Sequence, residues 1–198
     1  KPEDESSEWS VDANNIKASL AFKEMEVDYR SPLPPVQNGN GTAEFLYDDE
    51  LLKLSVESGT IGNLQVTNAA LNFSNIIQAG KGIADIKIPL SGSLADAFGY
   101  IENDPIGVNH KFKRSNIKGD VDLNVSLNFP TIPTLEFEDV TIKIAGTAKN
   151  ATLPNVVKDL NLTGEPFEIT VTNDRADVKG SGKLAGRDAD IECCLLYT

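Results

Sequence analysis

The stretch KGDVDLNVSLNFP, from Lys118 to Pro130, decides the fold class. Its apolar residues recur at every second position from Val121 to Phe129, and Asp, Asn or Ser fills the positions between them. Side chains alternate between the two faces of a β-strand, so this pattern predicts a strand with one apolar face and one wet face. Such strands belong to antiparallel sheets, because parallel strands are normally buried on both faces.

The same alternation recurs along most of the chain. The further alternating runs are Leu52 to Val56, Ile61 to Val66, Leu71 to Phe73, Phe167 to Val171, Ala176 to Leu184 and Ala189 to Cys193. Turn signals separate them, notably Ser58-Gly59, Asn173-Asp174 and Gly186-Arg187. Turns spaced by about ten residues are typical of a meander of antiparallel strands. The sequence therefore predicts a mainly β protein.

Two irregularities in the alternation predict a curved sheet. In 135–137 the apolar residues occupy odd-numbered positions, whereas in 140–144 they occupy even-numbered positions. One extra residue between the two runs keeps both on the same face, so the pattern predicts a β-bulge at Glu138-Asp139. The run from Gly80 to Leu90 begins with glycines, and glycines inside a strand permit bending. The predicted fold is a strongly curved antiparallel sheet, or β-groove, with one short amphipathic helix.

One segment of the chain has a firm helical period. Leu94, Ala97, Phe98 and Ile101 fall at positions i, i+3, i+4 and i+7. Ser91 or Ser93 is placed to cap this helix, and Asp96 lies in its first turn. A second, weaker helical turn is predicted for Pro154 to Leu160, because proline suits the first position of a helix.

Length and charge restrict the class of protein. We expect the 198 residues to comprise an acidic, disordered tail at 1–8 and a single β-groove segment at 9–198. The net charge of −12 repels phosphate backbones and anionic headgroups, which argues against nucleic-acid partners. No stretch is long and apolar enough to span a bilayer. The chain starts without Met and ends in a strand pattern, so we expect it to be an excised part of a longer protein.

The sequence predicts neither an enzyme nor a metal or cofactor site. His110 lies in a polar loop without a recognisable nucleophile motif. Paired carboxylates such as Asp120 and Asp122 lie on the wet face of a strand, where solvation explains them better than calcium binding or glycosidase chemistry. With one His, the adjacent Cys193 and Cys194 offer too few ligands for structural zinc.

The apolar strand faces form either an ordinary core or a surface for an apolar ligand. A large sheet needs a second layer, yet this chain offers one short helix and only 7% aromatic residues. Either the sheet folds over itself or an external ligand covers it. The predicted groove-lining residues are Val121, Leu123, Val125, Leu127, Phe129, Val140, Ile142 and Ile144.

Part of the sequence resembles a known family. Leu90 to Val108 (LSGSLADAFGYIENDPIGV), followed by Lys118 to Pro130, resembles the characteristic segment of the YhdP-like proteins in the AsmA-like superfamily. That segment has a Leu-Ala-Asp-Ala helix, a Pro-Leu-Gly turn, a Gly-Asp strand and a Phe-Pro ending, and here Ile106 replaces the Leu of the turn. The resemblance extends from Val27 to Glu192.

The resemblance implies a non-enzymatic, lipid-conducting β-groove in the periplasm of a bacterium. It implies that phospholipid acyl chains are shielded in transit between the inner and outer membranes, and that an anchor outside this chain attaches the protein to the inner membrane. The alternative is a closed β-sandwich interaction or scaffold module, with two sheets about 10 Å apart and no ligand between them. Unpaired edges at Ile16 to Phe22 and Ile191 to Leu196 also permit edge-strand self-association.

Overall fold

The protein is mainly β in the computed structural model, which describes residues 16–78, 80–104, 106 and 113–196. The strands are β1 (Lys17–Val27), β2 (Val36–Leu46), β3 (Leu51–Ile61), β4 (Leu64–Ser74), β5 (Ile83–Ser93), β6 (Lys118–Pro130), β7 (Thr141–Val157), β8 (Leu160–Thr172), β9 (Arg175–Leu184) and β10 (Arg187–Leu196). One α-helix, α1 (Leu94–Ile101), connects β5 to the short 3-10 helix Arg114–Asn116. None of the helices in these ranges is long and apolar enough to cross a membrane. The predicted tail at 1–8 and His110 lie outside the described residues.

The strands form one antiparallel sheet in which spatial order equals sequence order, from β1 to β10. This arrangement confirms the predicted meander. Two-residue turns, such as Gly62-Asn63 and the predicted Asn173-Asp174, join neighbouring strands. All ten strands belong to a single hydrogen-bonded sheet, whereas the sandwich considered as the alternative has two sheets.

The sheet is strongly curved, and two hydrogen bonds join distant parts of it. The hydroxyl of Tyr29, in the loop between β1 and β2, lies 2.9 Å from the Tyr100 hydroxyl in α1. The Arg30 guanidinium donates to the Leu135 carbonyl, in the loop between β6 and β7, at 3.2 Å. These contacts bring the loop between β1 and β2 against α1 and against the loop between β6 and β7, although four strands lie between β1 and β6 in the sheet.

Two of the predicted sources of curvature are wrong. Residues Phe137–Asp139 form a 3-10 helix between β6 and β7, so the expected bulge at Glu138-Asp139 is absent. The Glu136 and Asp139 side chains each accept a hydrogen bond from the other residue's backbone, which stabilises this turn instead of a strand. Gly80 and Gly82 precede β5, which begins at Ile83. They form part of the β4–β5 connection, and Gly80 has the positive φ of a turn.

Bulges elsewhere interrupt the strands. The pairing register shifts between Phe22 and Val27 in β1, and also within β2–β3, β4–β5, β6–β7, β7–β8 and β8–β9. A β-bulge bends a strand and increases its local twist. Curvature therefore arises from many small irregularities spread over the sheet.

Two other sequence predictions are also wrong. Pro154 belongs to β7, so the helical turn predicted for Pro154 to Leu160 does not form. Proline has no backbone N–H to donate to a neighbouring strand. Pro154 is tolerated in β7 because the pairing with β8 is interrupted by a register shift between Leu153 and Val157. Ser58-Gly59 lies inside β3, and the turn falls at Gly62, which has a φ of +58°.

Helix α1 is capped as the sequence predicts, with Ser93 as the N-cap. The Ser93 hydroxyl accepts a hydrogen bond from the Asp96 amide at 3.0 Å. Hydrogen bonds from Ser93 and from Asn63 lower the pKa of the Asp96 carboxyl. At the other end, the Asn103 side-chain amide donates to the Gly99 carbonyl at 2.8 Å. These contacts close both helix ends.

The buried core lies where α1 covers the sheet, and it has two parts. The larger cluster joins Leu94 of α1 to the beginning of β6, the middle and end of β7 and the beginning and middle of β8. It includes Val121 of β6 and Phe167 of β8. The smaller cluster, built on Val56, Ile61, Val66 and Ala69 of β3 and β4, packs against Tyr100 of α1. The helix therefore bridges the two halves of the curved sheet at one end.

Candidate ligand groove

Cross-strand pairing brings the apolar residues of all ten strands onto one face of the sheet, which we call the inner face. One row crosses β1 to β7 and consists of Leu20, Ala43, Leu54, Leu71, Ile86, Leu127 and Ile142. A second row crosses β5 to β10 and consists of Ile88, Val125, Ile144, Val171, Ala176 and Leu195. The rows are neighbours in β5, β6 and β7, so together they form a continuous apolar strip from one sheet edge to the other. We call this strip the apolar strip.

The apolar strip is only partly covered by protein. Ala43, Ile86 and Ala176 are buried, the remaining interior members of both rows are half-buried, and the end residues Leu20 and Leu195 are 60% and 57% exposed. No charged residue occurs in either row. The strip thus offers hydrocarbon surface that the described chain leaves partly open to solvent.

The structure divides the predicted lining residues into two groups. Val121 is 2% exposed and belongs to the core beneath α1, and Leu123 packs against the same core. Helix α1 therefore seals this end of the predicted surface. The half-buried members outside both core clusters are Val125, Leu127, Phe129, Val140, Ile142 and Ile144.

Four of these residues form a compact patch on β6 and β7. Leu127 pairs with Ile142, and Val125 pairs with Ile144. Phe129 continues the same face of β6 beside Ala84 of β5. Val140, in contrast, lies outside β7, at the end of the 3-10 turn, with a half-buried side chain.

Sequence analysis missed the contribution of the first half of the sheet. Leu54, Leu71 and Ile86 continue the row that contains Leu127, but they lie more than forty residues from it in the chain. Their alternation with polar residues was recognisable in the sequence. Only the pairing register places them beside Leu127 on the same face.

The loop between β1 and β2 bridges the curved sheet. Besides the bonds of Tyr29 and Arg30 to the middle of the sheet, its Leu33 is buried. Burial and the Tyr100 hydroxyl raise the pKa of Tyr29, and burial raises that of Tyr100, so both hydroxyls are neutral at ordinary pH. This loop holds β1 and β2 close to α1 and to the β6–β7 loop.

The outer face of the sheet is polar and carries cross-strand ion pairs. Lys149 contacts Asp122 at 2.7 Å, and Lys179 contacts Glu192 at 2.7 Å. The carboxylate partners raise the pKa of both lysines. The sheet is therefore amphipathic across its whole width, with charge outside and hydrocarbon inside.

Two clefts lie away from the apolar strip. One, of about 570 Å³, lies beside β8–β10 and includes Ser181 and Asp190, whose side chains are hydrogen-bonded at 2.8 Å. The other, of about 230 Å³, lies at the end of α1, where Arg114 pairs with Glu102 at 3.2 Å. In the described ranges, no three His, Cys, Asp or Glu residues are grouped so that they could hold a metal ion.

Comparisons with protein families, with curated proteins and with solved structures found no match for this chain. The family resemblance therefore remains an expectation from the sequence, and the geometry of the inner face is the basis for assigning a function.

Proposed function

We propose that this chain is a non-enzymatic segment of a periplasmic lipid-conducting β-groove. Its apolar strip shields the acyl chains of a phospholipid in transit between the inner and outer membranes. The observation that carries the proposal is the partly exposed strip itself, which crosses all ten strands without a charged residue.

The energetics of apolar burial support this function. Burying one methylene group stabilises by about 0.8 kcal/mol, so an acyl chain of roughly 16 carbons gains on the order of 10 kcal/mol when shielded from water. The strip is lined by aliphatic side chains, and apolar contact has no preferred direction. A chain can therefore slide between equivalent positions along the strip, as a conduit requires.

The polar outer face and the acidic net charge fit an orientation in which headgroups stay in solvent. The formal net charge of −12 disfavours close contact between anionic headgroups and the protein surface. Recognition then depends on the hydrocarbon tails, which any common phospholipid provides. The proposal therefore predicts weak headgroup selectivity.

Photocrosslinking on the folded protein tests the proposal. A phospholipid with a diazirine in its acyl chain is mixed with the delipidated chain, and the modified residues are mapped by mass spectrometry. We expect labels on β5–β7 inner-face residues such as Leu127 and Ile142, and none on outer-face Asn128. Labels confined to the outer face would contradict the proposed groove.

A matched pair of variants adds a quantitative test. Leu127→Asp places a charge in the strip and is expected to weaken binding of a fluorescent fatty acid at least about tenfold, because a buried carboxylate is strongly disfavoured in contact with hydrocarbon. Asn128→Asp adds the same group to the outer face of the same strand and is expected to leave binding unchanged. If Leu127→Asp fails to fold, Leu127→Trp fills the strip while keeping it apolar. Normal binding by a folded Leu127 variant of either kind would argue that the strip is ordinary core.

A further inference from the structure

The two edge strands of the sheet are open along one side. In the described part of the chain, β1 pairs only with β2, and β10 pairs only with β9. The backbone groups on the other side of each strand have no strand partner. Such edges are templates for pairing with another chain.

The apolar strip continues to both edges instead of ending in polar residues. Leu20 on β1 is 60% exposed and Leu195 on β10 is 57% exposed, although both lie on the inner face. Edge strands of monomeric proteins usually carry charges or prolines at such positions. Leucines there indicate that the inner face extends onto a further strand.

The even number of strands makes the two edges compatible with each other. Neighbouring strands alternate in direction from β1 to β10, so β1 and β10 run in opposite directions. A second copy in the same orientation therefore presents its β1 antiparallel to β10 of the first copy. This arrangement keeps both inner faces on the same side.

The outer faces of the two edges offer one pair of opposite charges within the paired range. Glu192 of β10, which also pairs with Lys179 of β9, faces outward, as does Lys23 of β1, which precedes the acidic residues Glu24 and Glu26. Lys17 already pairs with Glu44 on β2. Lys23 is exposed, and within the described residues it contacts no carboxylate. Antiparallel pairing of β10 with β1 sets this lysine against the acidic edge.

We propose that copies of this chain associate head to tail, with β10 of one copy paired antiparallel to β1 of the next. Placing Leu195 opposite Leu20 joins the two rows of the apolar strip. That register sets Cys194 opposite Ala21 and Glu192 opposite Lys23. The register shift of β1 lies between Phe22 and Met25, so Lys23 is the last residue that this pairing includes. The association lengthens the groove proposed above, but it rests on the edge geometry and is measured independently of lipid.

Disulfide trapping tests both the interface and its register. Directly opposed residues in an antiparallel pair have Cα separations of about 4.5–5.5 Å, within the range that a disulfide needs. In a Cys193→Ser background, Ala21→Cys is expected to form a disulfide with Cys194 of the next copy and to give a ladder of dimers, trimers and larger species. Thr42→Cys is the matched control. Thr42 is exposed and pairs with Ala21, but it lies on β2, one strand away from the proposed interface.

The trap has outcomes that overturn the proposal. A ladder of equal strength with Thr42→Cys would indicate random collision. Dimers from Ala21→Cys that persist when both native cysteines are replaced by serine would indicate symmetric β1–β1 pairing. A monomer with no crosslink at concentrations near 1 mM would exclude the association, and it would leave the lipid-binding experiment unaffected.

Charge reversal provides a second readout by analytical ultracentrifugation. Lys23→Glu sets two carboxylates against each other and is expected to weaken self-association about tenfold. Combining it with Glu192→Lys and Lys179→Glu, which keeps the β9–β10 ion pair in reversed polarity, is expected to restore association, because the pair with residue 23 is rebuilt with opposite polarity. Failure of this triple variant to recover, with Lys23→Glu and the Lys179→Glu/Glu192→Lys variant both folded, would contradict the proposed register.

Discussion

Phe167 and Phe129 occupy the same face of the sheet in very different environments. Phe167 is 3% exposed, and a Cβ added to Gly164 or Gly180 would lie 2.8 Å from its ring. The glycines of β8 and β9 therefore leave room for this ring beneath them. Phe129 is half-buried and lies outside both core clusters. The inner face thus combines a sealed core with a partly open surface.

These two residues allow a test at the residue scale. Phe167→Ala is expected to lower the free energy of unfolding by about 3–5 kcal/mol, because it leaves a cavity in a packed cluster. Phe129→Ala is expected to cost less than half as much, since solvent already reaches its ring. Urea unfolding followed by circular dichroism measures both values. Equal losses would indicate that Phe129 is as well covered as Phe167.

Sequence reasoning assigned most residues to the correct face but not to the correct environment. Val121 and Val125 are in the same alternating run, and both were predicted to line the groove. Val121 is sealed because α1 packs over the end of β6 that carries it, whereas Val125 lies further along the strand. A period of two encodes the face of a strand, and it contains no information on what covers that face.

At the scale of elements, α1 is the cover that closes one end of the inner face. Its period and its capping serine were recognisable because both are local features of the sequence. Its contacts were not recognisable, because they involve β3, β4 and β6–β8. The misplaced bulge and helical turn have different origins: local hydrogen bonds between Glu136 and Asp139 form a turn where the bulge was expected, whereas pairing with β8 keeps Pro154 in β7.

Replacing the cap of α1 is expected to weaken this cover. Ser93→Ala removes the hydroxyl that accepts from the Asp96 amide and is expected to destabilise the fold by about 1 kcal/mol. Ser91→Ala is the control, because Ser91 is the other serine that the sequence offered as a cap. Thermal unfolding compares the two variants, and equal melting temperatures would contradict the capping role.

Ser93→Ala is also expected to change how the free energy of unfolding depends on pH. The folded-state pKa of Asp96 is lowered, so its carboxylate contributes stability above the unfolded value, near 3.9, and this contribution is lost as pH falls through the folded value. Ser93→Ala removes the largest cause of the shift. The stability difference between wild type and variant is therefore expected to shrink below about pH 4. Unfolding curves at pH 7 and pH 3 measure it, and a difference that grows in acid would contradict the assignment.

At the scale of the whole molecule, two hydrogen bonds join distant parts of the curved sheet. The Tyr29–Tyr100 and Arg30–Leu135 hydrogen bonds link the β1–β2 loop to α1 and to the β6–β7 loop. Hydrogen bonds of this kind are individually worth about 1 kcal/mol, yet they act on a wide sheet that bends at its bulges. They are therefore placed to limit how far the groove opens.

Removing both bonds is expected to widen the groove. Spin labels at Ser31 and Thr134, in a background with both native cysteines replaced by serine, report the distance between the two loops by pulsed electron resonance. Tyr29→Phe combined with Arg30→Ala is expected to shift the distribution to longer distances and to broaden it. Asp49→Ala, in the loop between β2 and β3, is the control. An unchanged distribution would indicate that strand pairing alone sets the curvature.

The sequence by itself determined the strand content, the antiparallel meander, the polar outer face and the single capped helix. Each of these follows from local alternation, turn residues or capping, which depend on neighbours in the chain. Only the tertiary structure decided which inner-face residues are sealed, how the rows join across the sheet and where the loops bridge it. Those properties arise because residues as far apart as Leu20 and Ile142 are aligned by pairing register, and register is a property of all the strands together.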